Sequence, residues 1–560
     1  MLNRRSVRAL VVAVAAVALT PALAAQADQA MPNPPEYPFE NPYNPVQEVL
    51  GKFLFWEEQL SSDNTVSCGT CHITEAGGSD PRSFNTPNPG PDGIFGTADD
   101  IRGSAGVVRQ DASGNFRGTT PFDFHVQVTG RKTPSMINAV YNNQQFWDGR
   151  ATGNYVDPQT GLLEIGYVGS LESQSAGPPL SDVEMAREGL TWDDVAAKLV
   201  TAKPLGLATD LTPEMQDFLA TYPTYPDMFA AAYGDPAITS LRINFAIANY
   251  ERSLVADQTP VDHFLKGNPI APEFADGLAL FQGKANCASC HTLPFSHDND
   301  FHNIGVRPDL EDLGVEGITG NPSDRARFKT PNIRNAALRL PLFHNGGADS
   351  IADLIDFYND GGDFPGPNLD EFMLPLNLTD EEKADLVHLV EVGFTDPRVA
   401  AREGPFSRPT LRSELPSTTT EFGVASLNGT GDTPANIAPL PAFLGNSDWR
   451  IGLASGKPST TALMAFSFGA GDGSPFPDPR YPVPVNIDTR SLFLLVPTVT
   501  DADGYATLFL GIPASPVLAG FEFYGQWFFA DPAALGTGGV VGTKGVAIGL
   551  FAPYSGAPGA

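Results

Sequence analysis

Apolar residues recur at helical spacing through the middle of the chain. Ser181-Asp182-Val183-Glu184 has the form of a capping box and precedes an amphipathic stretch to about Val200. Residues 239–255 and 271–282 continue the helical pattern, and Ser350 with Asp353 and Thr379 with Glu382 open two further helices. In the first of these two, Ile351, Leu354, Ile355 and Tyr358 stand at i, i+3, i+4 and i+7, which points Tyr358 inward. Between about Gly77 and Asp123 the pattern lapses into a long loop rich in Gly, Pro, Asn and Asp. These periods predict a mainly α region with long loops up to about Arg412.

Beyond Arg412 the period changes. Ser417-Thr418-Thr419-Thr420 and a Gly/Thr/Pro-rich stretch lead into short apolar runs bounded by Gly, Pro and Asp, among them 491–499, 505–513, 520–530 and 545–552. Charged residues are sparse in this last part of the chain, and it holds neither Cys nor His. This spacing predicts an all-β sandwich-like domain. Its role is either attachment or recognition, or that of a passive appendage.

The chain has 560 residues, 42% of them hydrophobic and 18% charged, enough to bury several cores. Lys+Arg 34 against Asp+Glu 65 gives a net charge of −31. A field of that sign repels phosphate backbones and excludes nucleic acid as a partner, while leaving a basic protein open. At the start, Arg4, Arg5 and Arg8 precede an apolar stretch from Ala9 to about Leu23, with Ala-x-Ala sites at Ala22-Leu23-Ala24 and Ala25-Gln26-Ala27. Residues 1–27 therefore read as a signal peptide and the mature protein as periplasmic or secreted, with no membrane span. A membrane anchor is the alternative, but Thr20 and Pro21 interrupt a stretch already short for a span of ~20 residues.

The four cysteines fall as Cys68-Gly69-Thr70-Cys71-His72 and Cys287-Ala288-Ser289-Cys290-His291, one pattern used twice, once in each half of the region before Arg412. Two thiols at this spacing can form thioethers to the two vinyl groups of one haem, and the adjacent His then lies under the iron. A redox dithiol or half a zinc site explains one such motif. Two that consume every Cys of an exported chain predict two covalently bound c-type haems. The expected fold is mainly α, with two c-type cytochrome-like haem domains followed by the sandwich-like domain. The boundaries are 28–235 for the N-terminal haem domain, 236–412 for the second, 413–435 for a linker and 436–560 for the β domain.

Several blocks resemble the bacterial diheme cytochrome c peroxidases and their MauG-like relatives. In the first half they are Leu50-Gly51-Lys52-Phe53-Leu54-Phe55, Arg131-Lys132-Thr133-Pro134-Ser135 and Phe146-Trp147-Asp148-Gly149-Arg150. In the second they are Ala279-Leu280-Phe281-Gln282-Gly283, Phe301-His302-Asn303-Ile304-Gly305, residues 328–335 and Phe343-His344-Asn345-Gly346. The resemblance covers roughly residues 40 to 400 in consistent order and implies a peroxide-reactive haem on His72 and an electron-transfer haem on His291.

Peroxide cleavage needs a group that moves a proton between the two oxygens and a polar neighbour that orients them. The family's carboxylate lies in a Val-Glu-Met triplet with an amide a fixed distance before it, which selects Glu184 and Gln174. An insertion around 154–171 separates the pair from Trp147, which matches the family's tryptophan between the haems. A solvated carboxylate, a loop amide and a core anchor are the plainer readings of these three. His125 lies near a distal His found in some members, and is equally readable as a surface-loop residue. The resemblance places the second haem's distal ligand at a fixed count after His344, which lands on Tyr358, the MauG-like choice, with Met373 as the peroxidase-like rival. It also implies an inter-haem calcium, but Lys132 and Arg339 stand at two of its positions. Two cations argue against it, and their side chains can fill the cavity instead. Asp92 to Asp100 is a second calcium candidate or, more simply, a solvated turn. His263, His297, His302, His344 and His388 read as structural or solvent-facing.

The expected function is a diheme c-type peroxidase that reduces hydrogen peroxide with electrons from a small c-type cytochrome or other redox protein. The alternatives are a MauG-like oxidase that uses peroxide to oxidise a partner protein, and a non-catalytic diheme electron carrier.

Overall fold

The computed structural model describes residue 31 and residues 33–554; the expected signal peptide, 1–27, lies outside the described residues. Helices α1 (Pro45–Phe55), α2 (Trp192–Thr201), α3 (Ser240–Ser253), α4 (Pro272–Gln282), α5 (Ile351–Asp360) and α6 (Asp380–His388) carry the cores of the part before Arg412. Asn44 caps α1 by accepting from the amides of Val46 and Gln47, with Pro45 in the first turn, where no N–H is missed. The buried face of α1 crosses α3 at Gly51, where any Cβ would fall inside the Ala246 carbonyl. Phe53, Leu54, Ile243 and Ile247 fill this first core. A second core gathers Phe274, Leu278 and Phe281 of α4, Ile351 and Ile355 of α5, and Leu386 of α6.

Helices α3 to α6 run where the periodicity puts them, and Thr379 with Glu382 forms the capping box of α6. The capping-box reading of Ser181 is wrong. The amides of Glu184, Met185 and Ala186 all donate to the Ser181 carbonyl, closing a turn. Gly189, at φ +67, breaks any continuation, and α2 begins separately with Thr191 and Asp194 as its capping box.

The mainly α expectation is also overturned: 29% of the chain is helix and 17% is strand. The haem-bearing part spends much of its length on turns and short ladders, such as Ala105–Val108 against Val126–Val128 and the hairpin of Tyr155–Val156 with Leu163–Ile165. That hairpin is the insertion at 154–171. Among the described residues a further nine strands lie beyond Arg412: β1 (Thr419–Phe422), β2 (Ala435–Ile437), β3 (Arg450–Ala454), β4 (Thr461–Ser467), β5 (Leu492–Val499), β6 (Ala506–Phe509), β7 (Glu522–Ala530), β8 (Val540–Gly542) and β9 (Gly545–Gly549). They form an antiparallel sheet in the order β5-β4-β7-β9-β1, with β8 beside β7, and a smaller one in the order β2-β3-β6. Ile451 and Leu453 of the smaller sheet share a core with Met464, Phe466, Trp527 and Phe529 of the larger. The Trp527 indole N–H donates across it to the Gly452 carbonyl at 3.0 Å.

Two connections bind these parts. The loop after Val108 inserts Phe116 into the sheet core, pairs Arg117 with Asp501 and sets Phe124 edge-on to Tyr505 at 4.6 Å. Val399, Phe406 and Leu411 fold back into the first core, and Arg408 there pairs with Glu75 and Glu414.

Candidate functional site

The first Cys-x-x-Cys-His is a single helical turn whose start is fixed by Ser67 and Thr70: each side chain bonds the other's backbone amide, at 2.8 and 3.2 Å. Gly69 in its middle lies flat on Trp56, where a Cβ would strike the indole. The His72 amide donates to the Cys68 carbonyl, and its Nδ1 faces the Gly78 carbonyl at 3.1 Å. Since a carbonyl only accepts, Nδ1 carries the proton and Nε2 keeps its lone pair, the tautomer a metal requires.

The second motif repeats this arrangement. The His291 amide donates to the Cys287 carbonyl at 2.9 Å, and Nδ1 faces the Ser296 carbonyl at 3.0 Å. All four thiols are unpaired in the structure. Burial raises Cys68, Cys71 and Cys287, the last two to about 12, and lowers both histidines, so each site favours neutral donors.

Each motif opens onto a cavity. The first, of 620 Å³, is walled by Cys68, Cys71 and His72 and also by Trp147, Gln174 and Glu184, which the fold brings to one space. The second, a narrower slot of 190 Å³, is walled by Cys287, Cys290 and His291 with both Tyr358 and Met373. Two unpaired thiols, a correctly tautomerised imidazole and an adjoining cavity, found twice, fit two c-type haems.

Glu184 sits half-buried on the Ser181 turn. Burial raises its pKa, opposed by a hydrogen bond from Ser181 and by the charge of Arg150. Arg150 is held by Asp148 at 2.9 Å and lies over the Phe146 ring at 3.6 Å. Gln174 is on the short helix Ser170–Ser175 that follows the hairpin. The Trp147 indole N–H donates to the Lys132 carbonyl at 2.7 Å, and the ring borders both cavities. The Tyr358 hydroxyl has no hydrogen-bond partner among the described residues, and burial raises its pKa. His125 is exposed on a turn and forms no part of either cavity wall. The carboxylates of Asp92, Asp99 and Asp100 accept hydrogen bonds from their own loop, as a solvated turn does.

An internal repeat relates the two cavities. Lys132-Thr133-Pro134 and Lys329-Thr330-Pro331 are each followed by an asparagine in the left-handed region, Asn138 at φ 62 and Asn335 at φ 61. Each asparagine opens a short turn, Ala139–Tyr141 and Ala336–Leu338. Phe-Trp-Asp-Gly and Phe-His-Asn-Gly then follow, with Phe146 at φ 65 and Phe343 at φ 69. The Lys132 amide donates to the His344 carbonyl at 2.7 Å, and the Lys329 amide to the Trp147 carbonyl at 2.8 Å. Such reciprocal contacts are the mark of an approximate two-fold axis. Lys329, which the site prediction omitted, thereby borders both cavities as Lys132 does.

Paired Cys-x-x-Cys-His cavities about an approximate two-fold axis, bridged by an aromatic ring, define a di-haem c-type protein. Residues 45–269 match the family described as di-haem cytochrome c peroxidase. Similar proteins include cytochrome-c peroxidase IdrP1 of Pseudomonas sp., 27% identical over 432 residues that cover 70% of this chain and 93% of that protein. Methylamine utilization protein MauG of Methylorubrum extorquens is 28% identical over 367 residues, 64% of this chain and 82% of MauG. Cytochrome c peroxidase Ccp of Escherichia coli is 27% identical over 349 residues, 60% of this chain and 58% of that protein. The haem-bearing part of the chain is similar to the di-haem cytochrome c peroxidases and MauG proteins, and its cofactors are two c-type haems.

Proposed function

We propose that the protein is a di-haem c-type peroxidase that reduces hydrogen peroxide to water at the His72 haem, with electrons entering through the His291 haem. The observation that carries this reading is the convergence of Glu184 and Gln174 on the cavity that His72 borders. A simple electron carrier has no use for a proton-accepting carboxylate beside its haem. When bound, the His72 haem would supply the iron at which peroxide binds and part of the reducing equivalents.

The chain's own groups do the rest. Gln174 offers an amide to orient the peroxide. Glu184, held by Ser181 in a partly desolvated place, accepts the proton of one peroxide oxygen and returns it to the other, which leaves as water. Cleavage takes two electrons and two protons in all and yields two water molecules. Trp147, touching both cavities, shortens the path between the haems. We assign the haem units to residues 28–235 and 236–412, with the end of the second folded back on the first.

The donor is a small c-type cytochrome or similar redox protein, and a basic surface on it suits a chain of net charge −31. Among the described residues no helix is long and apolar enough to cross a membrane. A periplasmic location accords with the Ala9–Leu23 signal pattern. One observation favours the MauG-like alternative, oxidation of a partner protein: Tyr358, with an unpartnered hydroxyl, borders the second cavity. Peroxide turnover with a reduced cytochrome, set beside the same assay on Glu184→Gln, tests the main reading.

A further inference from the structure

Three cations are buried where the two cavities meet. Lys132, Lys329 and Arg339 are each under a tenth exposed, and none makes an ion pair among the described residues. The Lys132 amine donates only to the Ser79 hydroxyl, and the Lys329 amine has no hydrogen-bond partner among the described residues. Arg339 donates to the carbonyls of Asn332 and Arg334. The carboxylates whose charge acts on the two lysines are paired elsewhere, Asp80 with Arg82 at 2.8 Å and Asp298 with His302 at 2.9 Å. Both lysines border both cavities; Arg339 borders the second and lies against Gly77, in the loop after His72. Buried charges without counter-charge are strongly unfavourable, so such a cluster calls for an anion.

We propose that Lys132, Lys329 and Arg339 form a carboxylate-binding bridge at the approximate two-fold axis, holding propionates of both haems and joining the two cofactors without a metal ion. This rests on the two-haem reading above. A c-type haem brings two propionate carboxylates, the only anions it carries, and a cluster of three cations repels a divalent cation in the same space. Burial, reinforced by the charge of Arg339, drives the protein's own lysines down, Lys132 to about 7 and Lys329 to about 8, a penalty that bound carboxylates remove. Because the reduced haem carries one more electron than the oxidised, fixed positive charge beside it raises its reduction potential.

The test uses the holoprotein and its Lys132→Met, Lys329→Met and double variants, with haem counted by pyridine haemochrome and potentials read by spectroelectrochemistry. Each single variant is expected to lower the potentials of both haems, the double variant to lower them further, and Lys→Arg at either position to restore them. EGTA or added calcium should leave the wild-type potentials unchanged. Should a Met variant lose haem, the matching Arg variant must retain two; equal loss in both overturns the bridge. Unchanged potentials in a double variant with two haems overturn it too, as does a wild-type potential shift by EGTA that calcium reverses. Fewer than two haems in the wild type would mean that the two-haem reading itself has failed.

Discussion

Trp147 and His344 hold equivalent places in the two halves, and their rings meet edge to face with centroids 6.3 Å apart. Each backbone carbonyl receives the lysine amide of the other half. Trp147 is thus fixed at the seam by three constraints: its carbonyl, its indole N–H and its ring. Trp147→Leu should keep both haems while slowing electron passage between them by about tenfold or more, the effect of roughly 1.4 kcal/mol on a barrier. Rapid mixing of the half-reduced protein with peroxide, followed at both haem bands, measures this. An unchanged rate would make Trp147 a packing residue.

On the proposed mechanism, Glu184 sets the pH dependence. Burial raises its folded pKa above the usual carboxylate value, and the base form is the active one, so turnover should rise with pH along a limb displaced upward from about 4.5. Glu184→Gln should cut turnover by the order of 10² or more and erase that limb, with both haems retained. Retention of the limb in the variant would assign it to another group.

Tyr358 and Met373 are the two candidate ligands for the second haem, and the fold brings both to its cavity. The count from His344 and the inward stripe of α5 favour Tyr358. The ferric protein should then lack the weak near-infrared sulfur-to-iron band of His/Met ligation, and Tyr358→Phe should alter the low-spin spectrum while Met373→Leu leaves it silent. A sulfur band abolished by Met373→Leu would reverse the assignment.

Attachment is directly countable. The mature protein should carry two haems that acid-acetone does not extract, and Cys68→Ala or Cys287→Ala should each weaken one attachment. A pyridine haemochrome ratio below two haems per matured chain contradicts this.

Much of the site was legible because its chemistry is local. Cys-x-x-Cys-His states its own spacing, and the Thr379–Glu382 capping box is complete within a single helical turn. The helical content was not, because Ser181 carries a cap's side chains while the left-handed Gly189 and three amides converging on one carbonyl make the backbone turn. No local pattern reports that a polar loop such as 109–124 has its Phe116 buried in a sheet built from the far end of the chain. The Lys132/Lys329 repeat was written in the sequence as Lys-Thr-Pro twice, and only the crossed hydrogen bonds reveal that the copies face one axis.

The reaction proposed for this di-haem protein is peroxide reduction. Its most direct test is the stoichiometry of peroxide-dependent oxidation of a reduced, basic c-type cytochrome by the holoprotein. Two donor molecules oxidised per peroxide consumed, with the haem bands intact after many turnovers, is the predicted result. Peroxide that leaves the cytochrome reduced and bleaches the haems would contradict it.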